Sequence, residues 1–341
     1  MSDLLEKKAI LSLGGPVRLP EGFVLPFRIS KSTAGPGAGF MSIAIGFQGL
    51  RVKKSISYET GEFELHDDGG KLSLTHRGEP FLNEVEIKPV VRHCPEQAFF
   101  DLDPRCGFHC AFCSSPVLDP SEDKHLSTES IMEMLRESTD QYEVKAVSFT
   151  SGVVGSVDET VDRFVDVVRA TRAAYPDMPI GVEPYVSSRE HVQRLKDAGA
   201  DEIKLNLQCS TPELFARICP DLDYEGIRQR IVDAVEIFGR GRVVTNIIYG
   251  FGETDEQLYD AIRGICELGT IPTVRALRIN KFNRSTLEGI LGELTPVSPK
   301  RAMDVAVRLK EIMDEYGLTT KTSVTMCLEC GCCDLVPFRD L

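Results

Sequence analysis

The sequence lacks both a long apolar run and an excess of basic residues. No apolar stretch approaches the ~20 residues that a membrane span requires, and residues 1–6 lack the basic-then-apolar order of a signal peptide. We therefore expect a cytoplasmic protein without a membrane partner. Its 39 Lys and Arg are outnumbered by 52 Asp and Glu, which gives a formal net charge of −13. Because a chain of that sign gains nothing from phosphate contacts, nucleic acid is not an expected partner.

Several common catalytic signatures are also missing. The chain has no Ser-His-Asp order, no P-loop and no His-Glu-x-x-His segment. It has instead 11 cysteines. The cytosol keeps thiols reduced, so metal binding explains clustered cysteines there better than disulfides do. The positions of the cysteines are therefore the main clue to function.

The hydrophobic pattern divides the chain into three parts. With 341 residues, 42% of them hydrophobic, the chain can bury one large core and still supply an accessory domain. Residues 1–95 carry short alternating stretches between Gly, Pro and Asp, which predicts a β-rich accessory domain. In residues 96–318 apolar strands alternate with amphipathic helices, which predicts right-handed βαβ units around a parallel sheet. Residues 319–341 lose this periodicity and form a Cys-rich tail.

The predicted fold class is α/β, a partial barrel of six βα units. Its strands are expected at Ala98–Leu102, Ala146–Thr150, Ile180–Glu183, Glu202–Leu207, Val243–Ile248 and Val274–Ile279. Its helices are expected at 127–141, 158–174, 188–198, 224–238, 255–268 and 299–316.

Three thiols follow the first predicted barrel strand at the spacing C-x3-C-x2-C, namely Cys106, Cys110 and Cys113. Three thiolates from one loop can bind three corners of a [4Fe–4S] cube and leave one iron without a protein ligand. A zinc knuckle with His109 as its fourth ligand is the alternative. The spacing, with Phe112 before the third cysteine, resembles the radical S-adenosylmethionine (radical SAM) superfamily over residues 98–280.

That resemblance implies a cofactor pair and a reaction. The open iron would anchor the amino and carboxylate groups of SAM. An electron delivered through the cluster, from a donor such as ferredoxin or flavodoxin, would split SAM into methionine and a 5′-deoxyadenosyl radical. The radical would then abstract hydrogen from an unactivated carbon, while the barrel excludes water and positions the substrate.

Further similarities lie at the predicted strand ends, where α/β barrels carry their catalytic residues. The stretch after Thr150 stands where the superfamily often has a Gly-Gly-Glu run, but the Glu is absent. Asn-x-Gln after the fourth strand resembles the ribose-contacting Asn-x-Asp of biotin synthase, and residues 246–253 resemble a Gly-x-Ile-x-Gly-x-x-Glu adenine motif. A carboxylate at the end of the third strand is equally explained as a solvated strand end. The implied SAM contacts are Phe112, Ser151, Gly152, Glu183, Asn206, Gln208, Ile248 and Glu253.

A second cysteine group lies in the tail, at Cys327, Cys330, Cys332 and Cys333. Four thiols suffice for one tetrahedral metal or for a complete [4Fe–4S] site. We predict a second metal centre of iron, zinc or iron–sulfur type. It is either a clasp that pins the tail across the barrel or a functional centre.

Three hypotheses for the reaction remain. A β-rich N-terminal domain, a SAM barrel and a Cys-rich tail together resemble the methanogen enzymes that C-methylate arginine or glutamine in methyl-coenzyme M reductase. The size of the chain is closer to that of the glutamine enzyme. That resemblance implies a protein or peptide substrate and a cobalamin-borne methyl group, although the sequence lacks the Asp-x-His-x-x-Gly cobalamin signature. The alternative is sulfur insertion from an auxiliary cluster, as in lipoyl or biotin synthase. A metal-dependent scaffold without enzymatic activity is the third.

Overall fold

The computed structural model describes residues 3–27, 41–118 and 124–341, whose strands form two seven-stranded sheets. The first sheet has the order β6-β5-β4-β1-β3-β2-β7. It is mainly antiparallel, but β1 pairs parallel with both β3 and β4. Its strands are β1 (Val17–Arg18), β2 (Ser42–Phe47), β3 (Leu50–Ser57), β4 (Phe63–Asp68), β5 (Lys71–His76), β6 (Glu79–Leu82) and β7 (Glu86–Lys88). The predicted β-rich N-terminal part is confirmed, but a helix that the sequence analysis did not predict, α1 (Asp3–Leu13), precedes it.

The second sheet follows chain order and is parallel from β9 to β14. Its strands are β8 (Arg92–Cys94), β9 (Gln97–Asp101), β10 (Ala146–Thr150), β11 (Ile180–Glu183), β12 (Glu202–Lys204), β13 (Val243–Tyr249) and β14 (Ile271–Ala276). The antiparallel β8 extends one edge. This arrangement confirms the α/β class with six parallel strands. The limits of four strands differ from the prediction. The strand β14 begins and ends three residues earlier, β9 begins and ends one residue earlier, β12 ends before Leu207, and β13 ends one residue later.

Helices connect and follow the parallel strands. They are α2 (Thr128–Gln141), α3 (Val157–Ala174), α4 (Arg189–Ala198), α5 (Pro212–Ile218), α6 (Tyr224–Phe238), α7 (Asp255–Glu267), α8 (Arg284–Leu291), α9 (Pro299–Glu315) and α10 (Met326–Cys330). Local signals fix several ends: Ser156 and Thr254 form capping boxes, Pro299 opens α9 after the cap Ser298, and Gly199 closes α4 with a positive φ. Among the described residues no helix has the length and apolarity needed to cross a membrane.

The strand register separates an apolar outer face from a polar inner face. Phe100 of β9 stacks on Phe149 of β10, and both are buried in the large core that the surrounding helices complete. The alternate positions point the other way, because side chains alternate along a strand. Those inner positions carry Gln97, Asp101, Ser148, Glu183, Lys204, Asn246, Thr273 and Arg275. A polar interior therefore lies beneath the C-terminal ends of the strands.

The C-terminal tail is fastened at two points by buried charged groups. The carboxylate of Glu202 accepts the backbone N–H groups of Val324 and Thr325 at 3.0 and 3.1 Å. Lys8 of α1 donates to the Gly331 carbonyl at 2.8 Å and to Asp340 at 2.7 Å. The tail is thus tied to the barrel and to α1 together. The proposed domain limits at residues 95 and 318 stay a prediction.

Candidate active site

The first cysteine group lies on the loop that leaves the C-terminal end of β9. Cys106, Cys110 and Cys113 are half-buried free thiols. The Val153 N–H points to Cys106 Sγ at 3.4 Å, and the Ser115 N–H points to Cys113 Sγ at the same distance. Burial raises the pKa of both thiols. Backbone N–H donors favour the thiolate form that a metal requires.

One side of the loop is held against the end of β10. The Gly152 N–H donates to the Asp103 carbonyl at 2.8 Å, and the Gly107 N–H donates to the Val153 carbonyl at 2.8 Å. A Cβ at position 152 would lie 1.9 Å from the Arg105 carbonyl oxygen and 2.9 Å from the Cys106 Cβ. Only glycine permits this approach, so Gly152 positions the cysteine loop. Its neighbour Ser151 donates to the Gly152 carbonyl at 2.7 Å.

The other side of the loop is held by the segment after α5. The N–H and Nδ1 of His109 both contact Asp221 Oδ2, at 2.7 and 2.8 Å, and the Ala111 N–H donates to the Ile218 carbonyl at 2.8 Å. A hydrogen bond between Cys110 and Cys219, together with burial, raises the pKa of Cys110. The ring of His109, the alternative zinc ligand, is therefore engaged by a carboxylate.

The donor set fits an iron–sulfur cube better than a single ion. Among the described side chains no three His, Cys, Asp or Glu lie close enough to hold one metal ion. A cube gives each thiolate its own iron, so its ligands can stand further apart than those of a lone ion. Three free thiols on one anchored loop have the chemistry and number for such a group. Within the part of the chain that the structure describes, His109 does not form a metal-binding group with these thiols.

Asp103 fixes the backbone just before Cys106, a role that the sequence analysis missed. Its buried carboxylate accepts from the Arg105 backbone at 3.0 Å and from Arg105 Nε at 2.9 Å, and Arg163 lies 3.7 Å away. Burial acts to raise its pKa, but the hydrogen bonds from Arg105 outweigh burial and lower it. The Asp-x-Arg spacing before the first cysteine was the available signal.

Glu183 and Asn206 meet at the mouth of the barrel, as their strand-end positions predicted. Asn206 Nδ2 donates to Glu183 Oε1 at 2.7 Å, and Lys204 Nζ lies 3.0 Å from the same oxygen. Burial opposes ionisation, but Lys204 and Asn206 lower the pKa of Glu183. Glu183 is therefore a paired, partly buried carboxylate and not a solvated strand end.

Gln208 continues this edge towards β13. Its N–H donates to the Asn246 carbonyl at 2.7 Å, its carbonyl accepts the Ile248 N–H at 2.8 Å, and its side-chain Oε1 accepts from Asn246 Nδ2 at 3.1 Å. Its φ of +67° turns the chain away from the strand. Ile248 is buried beside it. The structure thus places Asn206, Gln208 and Ile248 on adjoining strand ends.

Glu253 faces its own turn. Its two oxygens accept the N–H groups of Gly250 and Phe251 at 2.7 and 2.9 Å, and Arg301 lies 2.9 Å from Oε1. This carboxylate closes the turn between β13 and α7. Phe251 of that turn packs near Phe112 of the cysteine loop, with ring centroids 6.2 Å apart. The turn is therefore brought against the loop, although the Glu253 carboxylate is engaged by protein groups.

Asp101 is a further residue that the sequence analysis missed. It ends β9, five positions before Cys106, and its register partner Thr150 also pairs with Glu183. Burial raises the pKa of Asp101 to about 7, with smaller contributions from Asp103 and Glu183. Its Oδ1 atom is buried without a hydrogen-bond partner. An acidic residue at a strand end beside a cysteine loop was the signal that could have identified it.

Comparison with known proteins finds a match over the part of the chain that carries these features. A model of the radical SAM superfamily matches residues 102–265, which hold the cysteine loop, Gly152 and the strand ends described above. The chain carries a radical SAM domain.

Relatives of known name share this domain. Biotin synthase from Macrococcus caseolyticus is 26% identical over 168 residues, 47% of this chain and 49% of that protein. Lipoyl synthase from Haemophilus influenzae is 26% identical over 179 residues, 50% of this chain and 53% of that protein. The chain therefore spans about half the length of the curated relatives it matches. The FeFe-hydrogenase maturase HydG from Carboxydothermus hydrogenoformans shares the fold, with a TM-score of 0.55, 16% identity and coverage of 64% of this chain and 52% of that chain.

The tail cysteines lie outside the matched radical SAM domain. Cys330, Cys332 and Cys333 are buried, and the side chain of Cys327 lies outside the described residues. Arg51 of β3 donates to the Cys330 carbonyl at 2.7 Å, and the Lys53 N–H donates to the Cys332 carbonyl at 2.9 Å. A hydrogen bond to Cys330, together with burial, raises the pKa of Cys332. The backbone of the second group is thus hydrogen-bonded to β3 of the N-terminal sheet, and α10 also contacts β9 and β10 of the barrel. In contrast, Cys266 is a buried core residue of α7.

Proposed function

We propose that this chain is an enzyme that reductively cleaves SAM at a [4Fe–4S] cluster held by Cys106, Cys110 and Cys113. The observation that carries the proposal is the anchoring of their loop on both sides, by Gly152 and by Asp221, at the C-terminal end of the barrel. When bound, the cluster would supply the electron that splits SAM into methionine and a 5′-deoxyadenosyl radical. The protein groups around it would bind SAM, orient it and exclude water.

The paired polar groups at the strand ends support the placement of SAM. Glu183 with Asn206, and Gln208 with Asn246, present carboxylate and amide groups that can bond ribose hydroxyls. Ile248 offers an apolar surface for the adenine. Ser151 and Gly152 lie directly beside Cys106 and can contact the part of SAM nearest the cluster. Phe112 would pack beside the same region from the loop.

For the reaction that follows, sequence resemblance supports C-methylation of a residue in a protein or peptide substrate, with glutamine of methyl-coenzyme M reductase as the candidate. Cobalamin would carry the methyl group. No histidine of the chain stands in an Asp-x-His-x-x-Gly signature, so the residues do not supply the usual lower ligand.

The second candidate is sulfur insertion, which the buried tail thiols favour. Cys330, Cys332 and Cys333 are concentrated in four positions of a tail that packs on the barrel. Thiols so grouped can hold an auxiliary iron–sulfur centre. The names of the relatives, biotin synthase and lipoyl synthase, are consistent with this alternative.

Anaerobic reconstitution tests the proposal. The protein is expected to bind iron and sulfide and to release 5′-deoxyadenosine when given SAM and a reductant such as reduced flavodoxin. Cys106→Ala should lose the iron of this cluster and release no 5′-deoxyadenosine, whereas Cys266→Ala, which changes a core thiol, should leave both properties intact. Release of 5′-deoxyadenosine by Cys106→Ala at the wild-type rate would refute the ligand assignment.

A second experiment separates the two reactions. The enzyme is incubated with labelled SAM, cobalamin and candidate protein extracts, and products are analysed by mass. Gain of a methyl group supports methylation, whereas gain of sulfur supports insertion. Iron content is an independent measure, because one cluster contains about four irons and two contain about eight.

A further inference from the structure

The segment that contains β14 and the turn after it is positively charged, although the chain as a whole is acidic. Between Glu267 and Glu288 the sequence has no acidic residue, whereas the formal net charge of the chain is −13. The same stretch contains four cations, which are Arg275, Arg278, Lys281 and Arg284. The two arginines nearer the strand are half-buried, and the last two cations are exposed. A positive surface on an acidic chain can attract a partner of negative charge.

The exposed cations flank an exposed aromatic ring. Phe282 is 45% exposed. The ammonium of Lys281 lies 4.9 Å from the centre of that ring and pairs with no carboxylate among the described residues. Arg284 lies on the other side of Phe282 in the sequence and contacts Glu288 at 3.1 Å. We call Lys281, Phe282 and Arg284 the basic tip. Two cations around an aromatic side chain are the kind of group that anchors a protein interface.

The basic tip is held directly against the cysteine loop by a buried amide. Asn283, which follows Phe282, is 2% exposed. Its Nδ2 donates to the Phe112 carbonyl at 3.0 Å and to the Arg278 carbonyl at 2.9 Å. Its Oδ1 accepts the Asn280 N–H at 2.8 Å. The tip is therefore fixed to the residue that precedes the third cysteine of the loop.

This position favours an electron donor over other acidic partners. From Phe282 the path to Cys113 runs through one intervening residue, one hydrogen bond and one carbonyl. A protein seated on the tip would therefore lie beside the proposed cluster. The other anchor of the loop carries Asp221, an exposed carboxylate that would repel an acidic protein. The charges thus direct an acidic partner to the β14 side of the loop.

We propose that the basic tip is the docking surface for the reductant of this enzyme, an acidic electron-transfer protein. The inference rests on the proposed function, since the electron must reach a cluster held by Cys106, Cys110 and Cys113. One electron leaves the partner, so that flavodoxin hydroquinone becomes the semiquinone, and the [4Fe–4S]²⁺ cluster becomes [4Fe–4S]⁺. The two cations attract the acidic face of the partner, and Phe282 supplies the apolar contact.

The kinetic test compares a protein reductant with a small one. Time-resolved absorbance measures reduction of the reconstituted cluster by an acidic flavodoxin hydroquinone and by photoreduced 5-deazariboflavin, which is uncharged. Lys281→Glu should slow reduction by flavodoxin at least about tenfold at low ionic strength, and less at high salt because salt screens exposed charges. Phe282→Ser should slow it at both salt concentrations. Both variants should react with 5-deazariboflavin as the wild type does, because the cluster itself is unchanged.

Binding of oxidised flavodoxin, measured by calorimetry, is a readout that involves no electron transfer. Lys281→Glu should weaken this binding about tenfold. Lys196→Glu is the matched control, because it makes the same change of charge at a lysine that also lies 4.9 Å from a phenylalanine ring, that of Phe238. Lys196 lies in the last turn of α4, at the opposite end of the barrel from the cysteine loop. Its variant should bind flavodoxin and be reduced by it as the wild type is.

Three results would overturn the proposal. The first is an equal rate of reduction by flavodoxin for the wild type and Lys281→Glu. The second is an equal loss in Lys196→Glu, which would reflect net charge alone. The third is slower reduction of Lys281→Glu by 5-deazariboflavin, since the tip would then support the loop and not the partner. If 5-deazariboflavin reduces the wild-type cluster and flavodoxin does not, this inference fails and the proposed function stands, whereas failure to bind iron refutes the proposed function itself.

Discussion

The contact between Gly152 and the backbone before Cys106 yields the sharpest prediction for the active site. A methyl group at position 152 would lie 1.9 Å from the Arg105 carbonyl oxygen, about 1 Å inside the 3.0 Å that real Cβ contacts respect. The obstacle is backbone, which cannot rotate away as a side chain can. Gly152→Ala must therefore displace the cysteine loop or the end of β10.

The size of the effect follows from that displacement. A shift of about 1 Å at a catalytic group costs on the order of a hundredfold in rate. It would also break the hydrogen bond from Gly152 N–H to Asp103 and move Cys106 away from the Val153 N–H. We expect Gly152→Ala to bind less iron and to form 5′-deoxyadenosine about a hundredfold more slowly.

Gly107→Ala is the matched control on the same loop. Its added methyl group would lie 3.6 Å from the Val153 carbonyl, an ordinary van der Waals contact. Iron and sulfide content, the visible spectrum and 5′-deoxyadenosine are measured for both variants, with circular dichroism to verify folding. If Gly152→Ala matches Gly107→Ala in iron content and rate, the loop is not held by this contact and the reasoning is wrong.

Three further predictions concern stability. Lys8 and Asp340 are a buried pair, with side chains 1% and 5% exposed. Lys8→Met should lower the free energy of unfolding, measured in urea, by about 3–5 kcal/mol, because it leaves the Asp340 carboxylate buried without its partner. Adding Asp340→Asn to Lys8→Met should recover part of that loss, because it removes the unpaired charge. Glu202→Gln should release the tail, seen as faster hydrogen exchange at residues 323–325, and unchanged exchange there would contradict the anchor. Burial lowers the pKa of Lys54 to about 7. Lys54 therefore binds its proton more tightly in the unfolded chain than in the folded protein. The free energy of unfolding of the wild type should rise from pH about 7 to about 10, whereas that of Lys54→Met should lack this rise.

The sequence predicted the strand alternation well because each parallel strand presents a buried apolar face. The limits of β10 and β11 match the prediction residue for residue. The strand β14 begins three residues before its predicted start because Pro272, which lies inside it, is a residue that normally argues against a strand. Within the described sheet β14 pairs with β13 alone, so the missing N–H of Pro272 can face the unpaired edge.

The helix α1 escaped prediction because its buried face contains a lysine. Leu5, Lys8, Ala9 and Leu11 are all buried. The lysine interrupts the apolar repeat by which an amphipathic helix is recognised in a sequence, because lysine is seldom buried without a partner. Its partner Asp340 lies 332 positions away. No local pattern can reveal such a pairing.

The active site shows the same division between local and distant information. The spacing of Cys106, Cys110 and Cys113 is visible in the sequence, and their role as cluster ligands stays a prediction. The groups that hold their loop were not, because Asp221 contacts His109 from 112 positions away and Cys219 contacts Cys110 from another element. Asp101 is likewise distinguished by its burial and its unpartnered oxygen, properties that only the fold creates.

The tail contacts bear on the choice between a metal clasp and a functional centre. Glu202 binds the tail before α10. Lys8 binds it within the cysteine segment, at the Gly331 carbonyl, and after the last cysteine, at Asp340. Arg51 and Lys53 hold the backbone of the cysteine segment itself. Because protein groups already fasten both sides of the segment, a metal is not required to keep the tail in place. Burying three thiols in an already fastened tail is better explained if they serve a bound centre than if they serve attachment, and an iron content of about eight per chain would support the sulfur-insertion alternative.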